Sequence, residues 1–295
     1  FMMENFQVVF VDEEVLQILN IDTRGIHPRP IFQKEIIDDN SYRNEFGITF
    51  RMPQEGLYYD MVHHPLAGKS IEELKEYPWP KPEKSMDLKG LRETAKKLHD
   101  KGEFCLVGDM IDTGIFEPCW YLRGFENYLM DLVIDPDFAT TLLEGMYHYQ
   151  LQRYSLFLQE VGEYLDVIFV GDDLATAENV IMNPQTYRNL IKPYHKEYFK
   201  NLKKLAPKAK LLYHSCGSIL NFIPDLIEIG VDILNPVQVS AQGMDTKVLK
   251  DKFGKELSFW GAIDTTHVLP NGTTEDVKKE VQKRVRDLGP EGYIL

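Results

Sequence analysis

The sequence predicts an α/β protein whose strands close into a (β/α)8 barrel. From residue 104 onward, short apolar runs alternate with amphipathic helical segments. None of the runs shows the polar alternation of a half-exposed strand, which indicates parallel strands covered on both faces. No Gly-x-Gly-x-x-Gly sequence follows any run, so the usual dinucleotide fingerprint is missing. These observations favour a barrel without excluding a doubly wound sheet.

Six strands are predicted in this part of the chain, at residues 104–110, 167–170, 209–214, 231–237, 257–263 and 292–295. The helices between them have recognisable starts. Asn183 precedes Pro184 as an N-cap before a first-turn proline, and Thr273 with Asp276 forms a capping box. Repeated strand–helix units imply parallel strands joined by right-handed crossovers.

The first hundred residues are less regular. Residues 46–51 and 56–62, separated by Met52-Pro-Gln-Glu-Gly56, predict a β-hairpin inserted in this N-terminal part. Barrels of this type routinely occupy the length of the whole chain. We therefore expect residues 1–295 to form one barrel domain, with residues 1–100 as its irregular N-terminal part.

Charge and composition exclude several classes of partner. The chain has 33 Lys and Arg against 46 Asp and Glu, a formal net charge of −13. Nucleic acids and anionic membrane surfaces bind positively charged proteins most strongly, so neither is expected as a partner of this negatively charged chain. No apolar run is long enough to span a bilayer. Three scattered cysteines and no recognisable leader predict a cytoplasmic protein without a disulfide framework.

Polar side chains follow nearly every predicted strand. In a parallel barrel the carboxyl ends of the strands surround one mouth, where functional groups collect. A carboxylate at a strand end is equally well explained as a cap for the next helix, but convergence of several favours a functional site. The residues at these ends are Asp109, Asp172, Asp173, His214, Cys216, Asn235, Gln238 and Asp264.

The pair His214 and Cys216 is the sharpest local signal. Residues two apart on an extended chain project from the same face, so an imidazole and a thiolate can bind one ion. A buried cysteine beside a hydrogen-bonded histidine is a common structural alternative. The position of the pair at the end of a strand favours zinc.

Several ordered motifs carry a resemblance to a known family. They are Trp120–Glu126, Gly171–Leu174, His214–Ile219, Gly230–Gln238 and Phe259–Asp264. Together they resemble the uroporphyrinogen decarboxylase superfamily over roughly residues 105–295. More narrowly they are similar to its corrinoid-dependent methyltransferase branch, which includes methylcobalamin:coenzyme M methyltransferases and the methyltransferases of O-demethylase systems.

The resemblance implies a barrel with a metal or substrate site at its mouth. In the zinc branch a His-x-Cys pair supplies two ligands, which correspond to His214 and Cys216. A third ligand comes from near the C-terminus and is not identifiable before Leu295. Family members also carry a further strand before the position of Phe1. The barrel is therefore expected to be incomplete at both ends.

The remaining candidates are assigned roles around that zinc. Asp172, Asp173 and Asp264 are expected to orient the zinc ligands or to contact the methyl donor. Either one of them or His267 is a candidate to replace the missing third ligand. The substrate-binding candidates are Asp109, Asn235 and Gln238.

The predicted activity is methyl transfer between a small methylated donor or thiol acceptor and a corrinoid. No Asp-x-His-x-x-Gly corrinoid motif occurs in the chain, so the corrinoid is expected on a separate protein. One alternative is decarboxylation of a porphyrinogen, which the absence of an Arg-Gln-Ala-Gly-Arg motif disfavours. Another is a non-catalytic ligand-binding barrel, in which Trp120 and Trp260 serve only a ligand.

Two pairs of residues near these motifs are predicted to have no catalytic role. Arg123 and Arg188 fall in helical segments, where an arginine usually covers apolar surface and pairs with a carboxylate. Cys105 lies in an apolar run, and burial makes such a thiol unreactive. Cys119, between Pro118 and Trp120, is also expected to be inert, but its position near the mouth leaves it as an alternative candidate for the missing metal ligand.

Overall fold

A computed structural model describes residues 9–31, 33–109 and 113–295. The strands of this part of the chain are β1 (Thr23–Ile26), β2 (Arg29–Pro30), β3 (Lys34–Asp38), β4 (Ser41–Asn44), β5 (Thr49–Arg51), β6 (Asp60–His63), β7 (Met86–Asp87), β8 (Cys105–Gly108), β9 (Val167–Gly171), β10 (Lys210–His214), β11 (Ile233–Asn235), β12 (Ser258–Trp260) and β13 (Tyr293–Ile294).

The centre of the molecule is a seven-stranded sheet in the order β1-β8-β9-β10-β11-β12-β13. Every neighbouring pair in it is parallel. Its strands follow one another in chain order, and β1 and β13 are its two edges. The described chain thus forms an incomplete (β/α) barrel, which confirms the predicted fold class. Each predicted strand is present: β9 extends one residue further, to Gly171, and the other five are shorter. Met110 lies outside the described residues.

The helices are α1 (Glu13–Ile18), α2 (Ile71–Lys75), α3 (Leu91–Lys101), α4 (Glu117–Arg123), α5 (Phe125–Ile134), α6 (Pro136–Val161), α7 (Pro184–Thr186), α8 (Lys192–Leu205), α9 (Ile223–Glu228), α10 (Thr246–Phe253), α11 (Val268–Asn271) and α12 (Thr274–Leu288). A π-helical turn, Tyr187–Ile191, joins α7 to α8. The predicted cap of Asn183 and the capping box of Thr273 with Asp276 are confirmed. No helix in the described ranges is long and apolar enough to cross a bilayer.

The predicted N-terminal hairpin is confirmed as β5 and β6, which pair antiparallel. It belongs to a larger four-stranded sheet in the order β3-β4-β5-β6. Sequence reasoning missed β3, β4 and β1. Every residue of β3 is exposed, so this strand has no apolar pattern. The outward side chains of β1 are Arg24 and Ile26. Arg24 covers Phe104 and pairs with Glu13, so a charged residue stands where an apolar one was sought.

The buried apolar residues form two separate clusters. The larger cluster includes the helices and the outer face of the sheet. The smaller one contains four strand residues that alternate with residues of the larger cluster: Val107, Val167, Leu212 and Ile233. Phe169 and Trp260 pack against it. Because strand side chains alternate between faces, these residues define the interior face of the barrel.

Candidate metal centre

His214 ends β10 on the interior face, two residues after Leu212. Cys216 follows two residues later, and its Sγ lies 3.6 Å from Nε2 of His214. Nitrogen and sulfur ligands at zinc distances of about 2.0–2.1 and 2.3 Å, separated by a tetrahedral angle, lie about 3.6 Å apart. The spacing of the two side chains therefore fits a shared tetrahedral ion.

Asp173 brings a third ligand atom to the pair. Its carboxylate, Nε2 or Nδ1 of His214 and Sγ of Cys216 lie within 4.8 Å of one another. Asp173 follows the end of β9, the strand beside β10. It faces the interior as Phe169 does, because the two residues are four positions apart on an extended chain. Its Oδ1 accepts a hydrogen bond of 2.8 Å from the Cys216 amide, which holds the two strand ends together.

A hydrogen bond on the Nδ1 side of the ring orients the imidazole of His214. Its Nδ1 lies 2.7 Å from Oδ1 of Asn235, and the Asn235 amide donates to the Trp260 carbonyl at 3.3 Å. The second bond requires the amide nitrogen of Asn235 to face Trp260, so its oxygen faces the ring and accepts the Nδ1 proton. Nε2 then carries a lone pair directed toward Cys216, as a metal ligand requires.

Glu117, at the start of α4, is a residue that sequence reasoning missed. Its Oε2 accepts the Asp173 amide at 3.2 Å, and the Tyr121 hydroxyl donates to its other oxygen. Burial, aided by the charge of Asp173, raises the pKa of Glu117 to about 8. Nothing in the local sequence marks this glutamate, because the strand that it meets lies more than fifty residues away.

The same buried and acidic surroundings affect the thiol of Cys216. Burial, followed by the charges of Asp173 and Glu117, raises the pKa of Cys216 to about 12. Without a cation, this cysteine therefore stays protonated at neutral pH. A divalent ion between Cys216 and Asp173 would reverse that balance, because its own charge is the largest in the site.

Asp172 points the opposite way from Asp173. It is 1% exposed and lies on the outer side of the sheet. Its carboxylate accepts the backbone amides of residues 115–117 at 2.6–3.1 Å and Nε2–H of His195 at 2.9 Å. These bonds anchor the start of α4. Asp172 therefore acts on the candidate metal centre indirectly, by positioning Glu117.

The remaining candidates lie around the group rather than in it. Oε1 of Gln238 accepts the Gly217 amide at 2.8 Å and so supports the loop that carries Cys216. Asp264 accepts the amides of Thr266 and His267, each at 2.8 Å, and caps its own turn. Asp109 lies at the end of β8, where its amide donates to the Ile26 carbonyl of β1.

The two arginines are structural, as predicted. Arg123 bonds to Asp131 and to two backbone carbonyls and covers the ring of Phe138. Arg188 forms a bidentate pair with Asp225.

The two remaining cysteines are also outside the candidate metal centre. Cys119 is fully buried and donates to the Ile115 carbonyl, and burial raises its pKa far above the ordinary value. Burial also raises the pKa of Cys105. Neither belongs to the group formed by Asp173, His214 and Cys216.

Comparisons with known proteins agree with this architecture. The family model for uroporphyrinogen decarboxylase (URO-D) matches residues 43–295. A methylated-thiol–coenzyme M methyltransferase from Methanosarcina mazei is 21% identical over 247 residues, covering 82% of this chain and 63% of the relative. The chain thus spans less than two thirds of the length of that curated relative.

A solved structure shares this fold. A methyltransferase from Methanosarcina mazei superposes with a TM-score of 0.64 at 16% identity, covering 84% of this chain and 69% of that chain. A psychrophilic glycoside hydrolase family 10 xylanase reaches only 0.42 at 10% identity, over 72% of this chain and 69% of that chain. The match of the family model over most of the sequence shows that this chain belongs to the uroporphyrinogen decarboxylase family.

Proposed function

We propose that the protein is a zinc-dependent methyltransferase that moves a methyl group between a small methylated donor or thiol acceptor and a corrinoid on a separate protein. The observation that carries this proposal is the convergence of Asp173, His214 and Cys216 on the interior face of the barrel. The similarity to a relative whose name describes methyl transfer between thiols supports the choice of reaction.

The donor set suits zinc. One thiolate, one imidazole and one carboxylate form a mixed set that zinc prefers over magnesium or calcium. Three protein ligands leave a fourth tetrahedral position for substrate, which is the pattern of catalytic rather than structural zinc sites. Bound there, zinc would supply Lewis acidity that keeps a coordinated thiol deprotonated near neutral pH.

The surrounding residues would orient the substrate thiol, exclude water from it and accept its proton. Phe169 and Trp260 line the interior beside His214 and give the carbon chain of a small thiol an apolar surface. A bound divalent cation would offset the charge of Asp173 and favour the ionised form of Glu117, which would then take the proton that the thiol releases. The sulfur gains the methyl carbon, and the electron pair of the broken bond stays with the corrinoid, which acts here as a substrate.

The arginines lend no support to porphyrinogen decarboxylation. A substrate with several carboxylates calls for guanidinium groups at the mouth. Arg24, Arg123 and Arg188 are each engaged with a carboxylate of the protein, and Arg24 lies on the outer face of β1.

The test combines metal analysis with methyl transfer. The purified protein is expected to hold one zinc per chain and to methylate a small thiol from methylcobalamin. Cys216→Ala should lose both properties, whereas Cys119→Ser, which changes a thiol outside the group, should keep its zinc. Full zinc content and activity in Cys216→Ala would show that the reaction does not depend on this site.

A further inference from the structure

A buried histidine outside the barrel interior is bound to the strand end that carries the candidate metal centre. His195 lies in the first turn of α8 and is 0% exposed. Its Nε2 lies 2.9 Å from Oδ2 of Asp172, the neighbour of Asp173 in the sequence. The same oxygen already accepts a backbone amide, so Nε2 is the donor in this bond. The proposed reaction assigns no role to this histidine.

The imidazole of His195 is held on several sides. Its ring stacks on Phe199 with the planes at 10° and the centroids 5.4 Å apart, and it meets the ring of Tyr213 edge-on at 5.8 Å. Its Nδ1 lies 3.2 Å from the Tyr187 hydroxyl. A π-helical turn, Tyr187–Ile191, adds one residue to the turn before α8. Tyr187 and His195, eight residues apart, therefore share a face as residues seven apart do in a regular α-helix. These contacts fix the direction of the Nε2 proton.

The carboxylate of Asp172 transmits this orientation to the start of α4. Its two oxygens accept the backbone amides of residues 115–117 at 2.6–3.1 Å. A Cβ at Gly114 would lie 2.1 Å from Oδ2 of Asp172, so the close approach of the two segments requires glycine there. The carboxylate plane turns about one side-chain bond, and the bond from His195 restricts the rotation that would carry both oxygens away from these amides.

Glu117 is tied to the same strand end by two reciprocal hydrogen bonds. Its amide donates to Oδ1 of Asp172 at 2.6 Å, and its Oε2 accepts the amide of Asp173 at 3.2 Å. The amide of Cys216 in turn donates to Oδ1 of Asp173 at 2.8 Å. The backbone of Glu117 is thus placed by one aspartate and its carboxylate by the next. A shift of the α4 start would therefore move the Glu117 carboxylate relative to the candidate metal centre.

We propose that His195 is a positioning residue for Glu117. By fixing the carboxylate of Asp172, it sets the distance from the Glu117 carboxylate to the thiol that reacts at the candidate metal centre. This inference rests on the proposed function, in which Glu117 accepts the thiol proton. Proton transfer requires hydrogen-bond reach, and a misplacement of about 1 Å can lower a rate about 100-fold. His195 acts through two hydrogen bonds and contacts neither of the proposed ligands on β10 and its following loop.

The first measurement is hydrogen exchange of the Phe116 and Glu117 amides, which needs no turnover. His195→Met and His195→Gln form a matched pair, because the two side chains have similar length and only glutamine keeps an N–H donor. Exchange of these amides, relative to that of amides in α12, should be about tenfold faster in the methionine variant and close to wild type in the glutamine variant. Leu202→Val removes a methylene from the buried face of α8 two turns away and should leave this ratio unchanged.

The second measurement is methyl transfer from free methylcobalamin to 2-mercaptoethanol or 2-mercaptoethanesulfonate, whichever the wild type methylates faster. His195→Met should lower kcat about tenfold while the zinc content stays the same and KM for the thiol changes less than about twofold, and His195→Gln should restore kcat. In a Glu117→Gln protein the methionine substitution should lower kcat by less than about twofold further, because the group that it displaces is already absent.

Tyr187→Phe is a milder form of the same perturbation, since it removes only the hydroxyl beside Nδ1. It should change both measurements in the same direction by about two- to threefold, and it decides the question if His195→Met does not fold. Unchanged exchange at residues 116 and 117, equal impairment by glutamine and methionine, or an undiminished effect in the Glu117→Gln protein would overturn the inference and leave the proposed function intact. Absence of methyl transfer to either thiol by the zinc-loaded wild type would overturn the proposed function, and the role of His195 with it.

Discussion

Replacing Asn235 by alanine tests the orientation of His214 without removing a proposed metal ligand. The substitution deletes the acceptor 2.7 Å from Nδ1 of His214 and frees the imidazole to turn about its side-chain bonds. Loss of such a partner behind a metal-bound histidine typically lowers metal affinity about 10- to 100-fold, or about 1.4–2.7 kcal/mol. The short bond and the second anchor of Asn235 on the Trp260 carbonyl place the expected effect in the upper half of that range.

The assay is the zinc dissociation constant, measured by competition with a chromophoric chelator at one pH. Asn235→Asp serves as the control, since a carboxylate still accepts the Nδ1 proton and should keep the affinity within a few-fold of the wild type. The orientation argument fails if Asn235→Ala binds zinc as tightly as the wild type. It fails equally if the aspartate variant, with its fold intact, is as weak as the alanine variant.

Two further predictions concern stability. The pKa of Glu117 is raised from 4.5 to about 8, chiefly by burial, so the folded protein binds an extra proton between these values. The unfolding free energy of the metal-free protein should therefore fall as pH rises from about 5 to about 8. In urea titrations, Glu117→Gln should show a weaker dependence of this free energy on pH. An equal dependence in both proteins would contradict the raised pKa of Glu117. Asp172→Asn should cost about 2–4 kcal/mol, because the buried amides and His195 lose a carboxylate acceptor. Asp173→Asn should cost less than about 1 kcal/mol in the absence of metal. A similar loss of stability in both variants would contradict the opposed orientations of the two side chains.

The parallel sheet was predictable because its signals are local. Continuous apolar runs such as residues 167–170 are required wherever both faces of a strand are covered, and this holds regardless of the partner strand. Caps such as Asn183 act within one turn of their own helix. The same is true of His214 and Cys216, whose shared face follows from their spacing alone. Strand β1 was not predicted because its outward-facing Arg24 is charged. An ion pair with Glu13 and packing on the ring of Phe104 offset the cost of burying this side chain, and both contacts exist only in the folded chain.

The composition of the candidate site was decided by the tertiary structure. The sequence places Asp172 and Asp173 side by side at a strand end, and local reasoning cannot tell which one faces the interior. That choice depends on the phase of the alternation along β9, which is set by packing against β10 and the helices outside. Glu117 joins the group only because Asp172 anchors the start of α4 over β9, more than fifty residues along the chain. Sequence spacing therefore determined one half of the proposed metal site, and the packing of distant segments against one another determined the other half.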